Sequence, residues 1–284
     1  MPGRRIVILT HQQQGLPSGN ALGRLAFGVW QPAGHTILVQ QGLKSPPEAD
    51  IAFLHVDLSV VPEPYLELGR RYPRCVNLRT VDIRKRVVSQ DLLGEDDDYD
   101  GPVLVKTDLN HRGLPERNLA LATGGLRAQL WEAASRWLPR AWTGRLPAGA
   151  DSYPLFERRS QVPRWVWRRP ELVVERFFVE KHGDLYALNQ WHFLGSGSLG
   201  ITVLAPHPIV KFRDQVARYP FHDDIPQEIR RRREELGFDY AKFDYLVTAD
   251  GPKLLDANRT PWMEMPVEEP RMAAMARGLE AYLD

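Results

Sequence analysis

Residues 238–258 hold two alternating runs, Tyr240-Ala241-Lys242-Phe243-Asp244-Tyr245-Leu246-Val247 and Pro252-Lys253-Leu254-Leu255-Asp256-Ala257-Asn258, on either side of Asp250-Gly251. This pattern predicts a β-hairpin, because successive side chains on a strand point to opposite faces. Loop length then decides which groups meet. A two-residue loop at Asp250-Gly251 would pair Asp244 with Ala257 and put Asp244 and Asp256 on opposite faces. A three-residue loop, Ala249 to Gly251, pairs Asp244 with Asp256 and places the glycine where a left-handed residue is wanted. That register gathers Lys242, Asp244, Asp256 and Asn258 on one face and leaves Phe243, Tyr245, Val247, Leu255 and Ala257 as a core face on the other. The apolar pattern therefore favours the register that collects the polar groups.

Two opposed carboxylates repel each other and ordinarily need a cation between them. Oxygen donors from Asp244, Asp256 and Asn258 suit Mg²⁺, which keeps its waters and binds substrate phosphates. Lys242 on the same face could neutralise a phosphoryl oxygen. Taken alone, the hairpin is explained equally well by a solvated polar face with ordinary ion pairs.

The rest of the chain predicts an α/β protein. Ile6–Leu9, Thr36–Gln40 and Ile51–Val56 read as strands, with helices at Asn20–Trp30 and Pro62–Tyr72. Strands alternating with helices predict a mostly parallel sheet. Asp82–Leu93 has helical spacing, Pro102–Lys106 is a strand, Thr107–Gly113 a loop and Gly124–Trp137 a helix. Residues 139–170 are rich in Pro, Arg and Trp without a clear period, which suggests a long connection or lid. Within it, Arg164–Arg169 interleaves basic and aromatic residues, read as an exposed strand with cation–π packing rather than a nucleic-acid platform. Leu172–Phe178, Tyr186–Phe193 and Ile209–Phe212 read as strands, and Gln227–Leu236 as a helix with a solvated arginine face.

Composition narrows the function classes. The 284 residues carry a net charge of +1, which gives no general attraction to nucleic acid or membranes. The single cysteine, Cys75, excludes an internal disulfide and reads as a buried structural thiol. Ile6–Leu9 is too short for a signal peptide or a spanning helix, so a cytoplasmic location is expected.

Asp244 followed by Asp256-Ala257-Asn258-Arg259-Thr260-Pro261 resembles the signature of the ATP-grasp superfamily, in which an acidic residue and Glu-x-Asn hold the nucleotide's magnesium ions. Asp256 stands where the family more often has Glu, and Lys242 where the D-alanine ligase branch has Arg. Val103-Leu104-Val105-Lys106 resembles the strand whose lysine contacts the α- and β-phosphates, and Asp82–Lys85 an earlier element with a second such lysine. Leu172–Phe178, with Glu175 and Phe177, resembles the hinge strand that bonds adenine. Asp184 matches the ribose-binding acid, and Lys211 a third phosphate contact. The phosphate-covering loop, Thr107–Gly113, holds one glycine where several are usual, so Asn110, His111 or Arg112 could meet the γ-phosphate.

The resemblance implies a Rossmann-like N-terminal pre-ATP-grasp lobe over residues 1–80. It implies a two-lobed ATP-grasp domain over 81–284, with a small lobe and lid at 81–170 and a C-terminal lobe at 171–284. ATP and Mg²⁺ are the implied cofactors. The implied reaction joins a small-molecule or peptide carboxylate to an amine through an acyl phosphate, releasing ADP and phosphate. Arg259 is then the expected carboxylate clamp beside Lys242. Phosphoryl transfer to another acceptor and a degenerate ATP-binding regulator are the rival readings. Enzymes of this kind are often dimers.

Overall fold

The computed structural model describes residues 3–16, 19–135, 137–144, 146, 153–210, 217–218, 221–263, 266 and 268–283. Its strands form three sheets. The first joins β1 (Arg5–Thr10), β2 (Thr36–Gln41), β3 (Ile51–Leu54) and β4 (Arg74–Val76) in the order β2-β1-β3-β4, every pair parallel. Buried apolar runs such as Ile6-Val7-Ile8-Leu9 suit a parallel sheet covered on both faces. One cover is α1 (Ala21–Leu25), which continues as a π-helix to Trp30; Asn20 caps it by accepting from Leu22 N and Gly23 N. The other is α2 (Glu63–Gly69), which packs Tyr65, Leu66 and Leu68 against Val7 and Leu9.

The middle sheet runs β5 (Leu92–Leu93), β8 (Leu172–Arg176), β6 (Val103–Thr107), β7 (Leu155–Phe156) and is antiparallel. The helical spacing read over Asp82–Leu93 yields only α3 (Lys85–Val88) before the chain straightens into β5. A second difference lies beyond β6. The helix read over Gly124–Trp137 is α5 (Gly125–Ser135), and a further helix with no counterpart in the sequence reading, α4 (Leu114–Thr123), precedes it; Gly125 takes φ 59° at the break between them. The chain then forms α6 (Arg140–Thr143) and α7 (Arg164–Trp167). Arg164–Trp167 is thus a helical turn and not a strand, with Trp165 and Trp167 against the core of the middle sheet.

The third sheet contains β9 (Glu180–His182), β10 (Leu185–Leu194), β11 (Gly197–Ala205), β12 (Ala217–Arg218), β13 (Tyr240–Thr248) and β14 (Gly251–Asn258). Its order is β12-β11-β10-β13-β14, with β9 on β10 and all pairs antiparallel. One face packs Trp191, Phe193, Phe243, Tyr245, Leu254 and Ala257 against Ile229 of α8 (Gln227–Leu236). The arginines of α8 are not all solvated. Arg233 lies 4.2 Å from the Phe193 ring centroid and Arg232 bonds the Val87 and Val88 carbonyls. The far end of the sheet joins α9 (Pro270–Ala276) and the first sheet in a shared core containing Tyr240, Leu199, Met272 and Phe53. Ile209 and Val210 are not in a strand, and residues 211–212 fall outside the described residues.

Candidate nucleotide and metal site

The hairpin β13–β14 pairs Asp244 with Asp256 and Lys242 with Asn258, the pairing that gathers the polar groups. It reaches that pairing by another route. Thr248 pairs with Gly251, so the loop is the two residues Ala249 and Asp250, and the ladder slips once between Asp244 and Tyr245. The slip leaves Leu255 as the extra residue of a β-bulge. Leu254, not Leu255, therefore joins Phe243 and Tyr245 in the core, and Val247 is exposed.

Strand β10 extends the polar face. Gln190 lies opposite Asp244 and His192 opposite Lys242. The sequence reading passed over both, because β10 reads as an apolar strand and nothing in its pattern marks which face turns polar. Gln190 donates to Asp244 Oδ1 at 3.0 Å, and Lys242 Nζ lies 2.9 Å from Asp244 Oδ2. Burial, with Lys242 adding to it, pushes the His192 imidazole down to about 3, so it stays neutral. Its Nδ1 is buried without a partner.

Two lysines reach this face from the other side of the cleft. Lys85, at the start of α3, is ion-paired with Asp256 and lies 3.5 Å from Asn110 Oδ1. Lys106, on β6, is ion-paired with Glu175 of β8, whose carboxylate also accepts from the Ser89 hydroxyl. Burial pulls the Lys106 ammonium down, but Glu175 outweighs it and holds the group above its ordinary value. Burial likewise pushes the Asp256 carboxyl up, and Lys85, Lys106 and Lys242 together bring it below the usual carboxylate range.

The space between these groups has two connected halves. Leu104, Phe177, Phe178, Ala187, Leu246 and Leu255 line an apolar slot. Thr107, Asn110, His111, Gln190, Lys242 and Asn258 line a polar one. Lys85, Tyr153, Leu188, Val210, Asp244 and Asp256 border both. A flat hydrophobic group can thus lie in one half while its charged tail meets lysines and carboxylates in the other. Among the described residues no group of three or more His, Cys, Asp or Glu side chains is placed to hold a metal. Two carboxylates and an amide fit an ion that completes its shell with phosphate and water, the habit of Mg²⁺.

No protein-family model and no curated protein matches the chain. Solved structures do. The chain is similar to the ATP-grasp ligase PsnB complexed with a minimal precursor, at 12% identity over 100% of both chains and a TM-score of 0.48. It is also similar to a RimK-domain ATP-grasp protein from Sphaerobacter thermophilus, at 14% identity over 99% of this chain and 100% of that one, TM-score 0.44. A third is D-alanine–D-alanine ligase from Bacillus anthracis, at 12% identity over 98% and 96% of the two chains, TM-score 0.46. The likeness is to ATP-grasp proteins.

Of the residues that an ATP-grasp reading names, Lys85, Lys106, Glu175, Phe177, Asp244 and Asp256 line the slot, and Lys242 and Asn258 border its polar half. Lys211 lies outside the described residues. Asp184 stands at the exposed turn between β9 and β10 and lines neither half. Arg259 is put to a different use from the expected clamp. It is fully buried, with one nitrogen on the Thr80 carbonyl and another 2.6 Å from the Leu58 carbonyl. Burial brings its guanidinium down to about 10. It joins the end of β14 to the segments that follow β3 and β4. Beside it, Asn258 Oδ1 accepts from Thr260 N at 2.9 Å, and the Thr260 hydroxyl donates to Asp57. Cys75 is half-buried, and burial pushes its thiol up to about 12, which fits a structural thiol. Among the described residues no helix is long and apolar enough to cross a membrane.

Proposed function

We propose that the chain is an ATP-grasp enzyme that uses Mg·ATP to activate a carboxylate and join it to an amine, releasing ADP and phosphate. The observation that carries this reading is one cleft whose apolar half passes directly into a cluster of lysines and paired carboxylates. Phe177, Phe178 and Leu255 fit the flat face of a base. Lys85 borders both halves and Lys106 lines the slot beside it, where they can neutralise phosphate oxygens. Asp244, Asp256 and Asn258 would hold the magnesium ion, which supplies charge withdrawal from the terminal phosphate. Lys242 sits in the polar half and would orient that phosphate. Glu175 acts through Lys106: the buried pair fixes the ammonium at the mouth of the slot.

Charge arithmetic supports a site for metal and nucleotide together. Lys85 is spent on Asp256 and Lys242 on Asp244, so the paired groups carry no net charge toward a bare cation. A polyphosphate draws the lysines away and exposes the carboxylates at the same moment. The test is calorimetric titration of a non-hydrolysable ATP analogue with Mg²⁺, in wild type and Asp256→Ala. Binding that needs Mg²⁺ and disappears in the variant supports the reading; a wild type that binds no nucleotide sinks it. Hydroxylamine then separates ligation from phosphoryl transfer, because an acyl phosphate is trapped as a hydroxamate and a phosphorylated alcohol is not.

A further inference from the structure

Four non-glycine residues with positive φ occur among the described residues: Ser45, Asn77, His111 and Arg112. Asn77, at φ 66°, explains itself. Asparagine tolerates this conformation, and here its amide bonds Asp239 N, Tyr240 N and the Tyr240 carbonyl. His111 (φ 46°) and Arg112 (φ 58°) are different, because they stand in succession and run into Gly113 at φ 68°. A glycine stretch would adopt this turn without strain. Arg112 lies over the Tyr153 ring, 5.2 Å from its centroid. The His111 imidazole is exposed, and no hydrogen bond or ion pair holds it among the described residues.

Its position gives the strain a purpose. His111 borders the polar half of the cleft together with Lys85, Lys242, Asp244, Asp256 and Asn258. It also lines an adjoining cavity with Gln13, Gln14, Asp57 and Asn118, near the carboxyl ends of β1 and β3. It is the residue common to the two, and ligands of open sheets collect at such strand ends. Strained non-glycine backbone persists where the side chain is used.

We propose that His111 is a catalytic residue of this site: its ring N–H contacts the terminal phosphate of the nucleotide at the seam with the adjoining cavity. The strain of a non-glycine left-handed turn is retained for the sake of that ring. The inference rests on the nucleotide reading above, and its test keeps the two apart. Wild type, His111→Gly and His111→Ala are titrated with Mg·ADP and with the non-hydrolysable Mg·ATP analogue, and each is melted without ligand. His111→Gly should melt higher by roughly 2 °C as the strain is released. It should hold ADP within about twofold of wild type yet lose roughly tenfold in affinity for the triphosphate, the size of a hydrogen bond to a charged group. His111→Ala should show the same selective loss without the gain in melting temperature. Equal affinities in wild type and both variants, or equal losses for ADP and the triphosphate, overturn the role of His111 while leaving the nucleotide site standing. A wild type that binds neither nucleotide overturns both.

Discussion

Asp256→Asn offers the sharpest separation of electrostatics from shape, because the amide nearly matches the carboxylate in volume. The change leaves the Lys85 ammonium, only 5% exposed, with the Asn110 oxygen at 3.5 Å as its remaining partner on this side. Breaking a fully buried pair costs about 3–5 kcal/mol. The Asp256 side chain is 33% exposed, so water offsets part of this and about 2–3 kcal/mol is expected. For a chain of this size that is a fall in Tm of roughly 5–10 °C. Lys85→Met alone should cost less, since Asp256 keeps the field of Lys106 and Lys242. In the double variant no unpaired ammonium remains, so the cycle should return a coupling of about 2 kcal/mol. Urea melts of the four proteins at neutral pH measure it. If Asp256→Asn costs under about 0.5 kcal/mol, or the two changes simply add, the pair is a surface contact and the argument fails.

Three further outcomes are expected. Lys85→Gln should bind Mn²⁺ without nucleotide more tightly than wild type does, because Asp256 is released; titration followed by electron paramagnetic resonance reads this, and unchanged affinity would remove the idea that lysine holds the cation position. His55 and His192 are both held near 3, His55 by burial with Arg259 adding to it, against 6.5 in an unfolded chain. Their neutral forms contribute stability in full above pH 6.5, and it is lost as pH falls toward 3, at up to about 1.4 kcal/mol per pH unit for each; urea midpoints against pH should flatten by about half in His192→Gln. Arg259→Met should cost roughly 2–4 kcal/mol by stranding the Leu58 and Thr80 carbonyls, with unfolding transitions as the readout; a variant as stable as wild type would restore Arg259 as a candidate for substrate binding.

Much of the site was legible because it rests on alternation. The polar-apolar rhythm of β13 and β14 is enough to name Lys242, Asp244, Asp256 and Asn258 and their shared face. The bulge was not legible, since one residue can be spent in the turn or in the ladder with the same far pairing. Gln190 and His192 escaped for a different reason: β10 is buried along most of its length, and burial erases the contrast that marks a functional face. Arg259 misled because sequence position beside metal-binding residues says nothing of which way a guanidinium turns. Asp184 was placed by order along the chain, whereas the turn that carries it points into solvent. Short helices failed for want of length: α3 has four residues, too few to show a period.

Beyond the bulge at Leu255 the hairpin is tolerant of change at its tip. Below it, the register is locked by the neighbouring strand β10 and by Phe243 and Ala257 in the core. Above it, Pro252 to Gly251 and their partners run out to an exposed turn. A residue gained near Ala249-Asp250 lengthens the exposed turn, beyond the point where Tyr245 and Leu254 are held in the core, and does not reach Asp244 and Asp256. The outer half of the hairpin can therefore drift in length over evolutionary time, or accept a tag or a label, while the two carboxylates stay face to face.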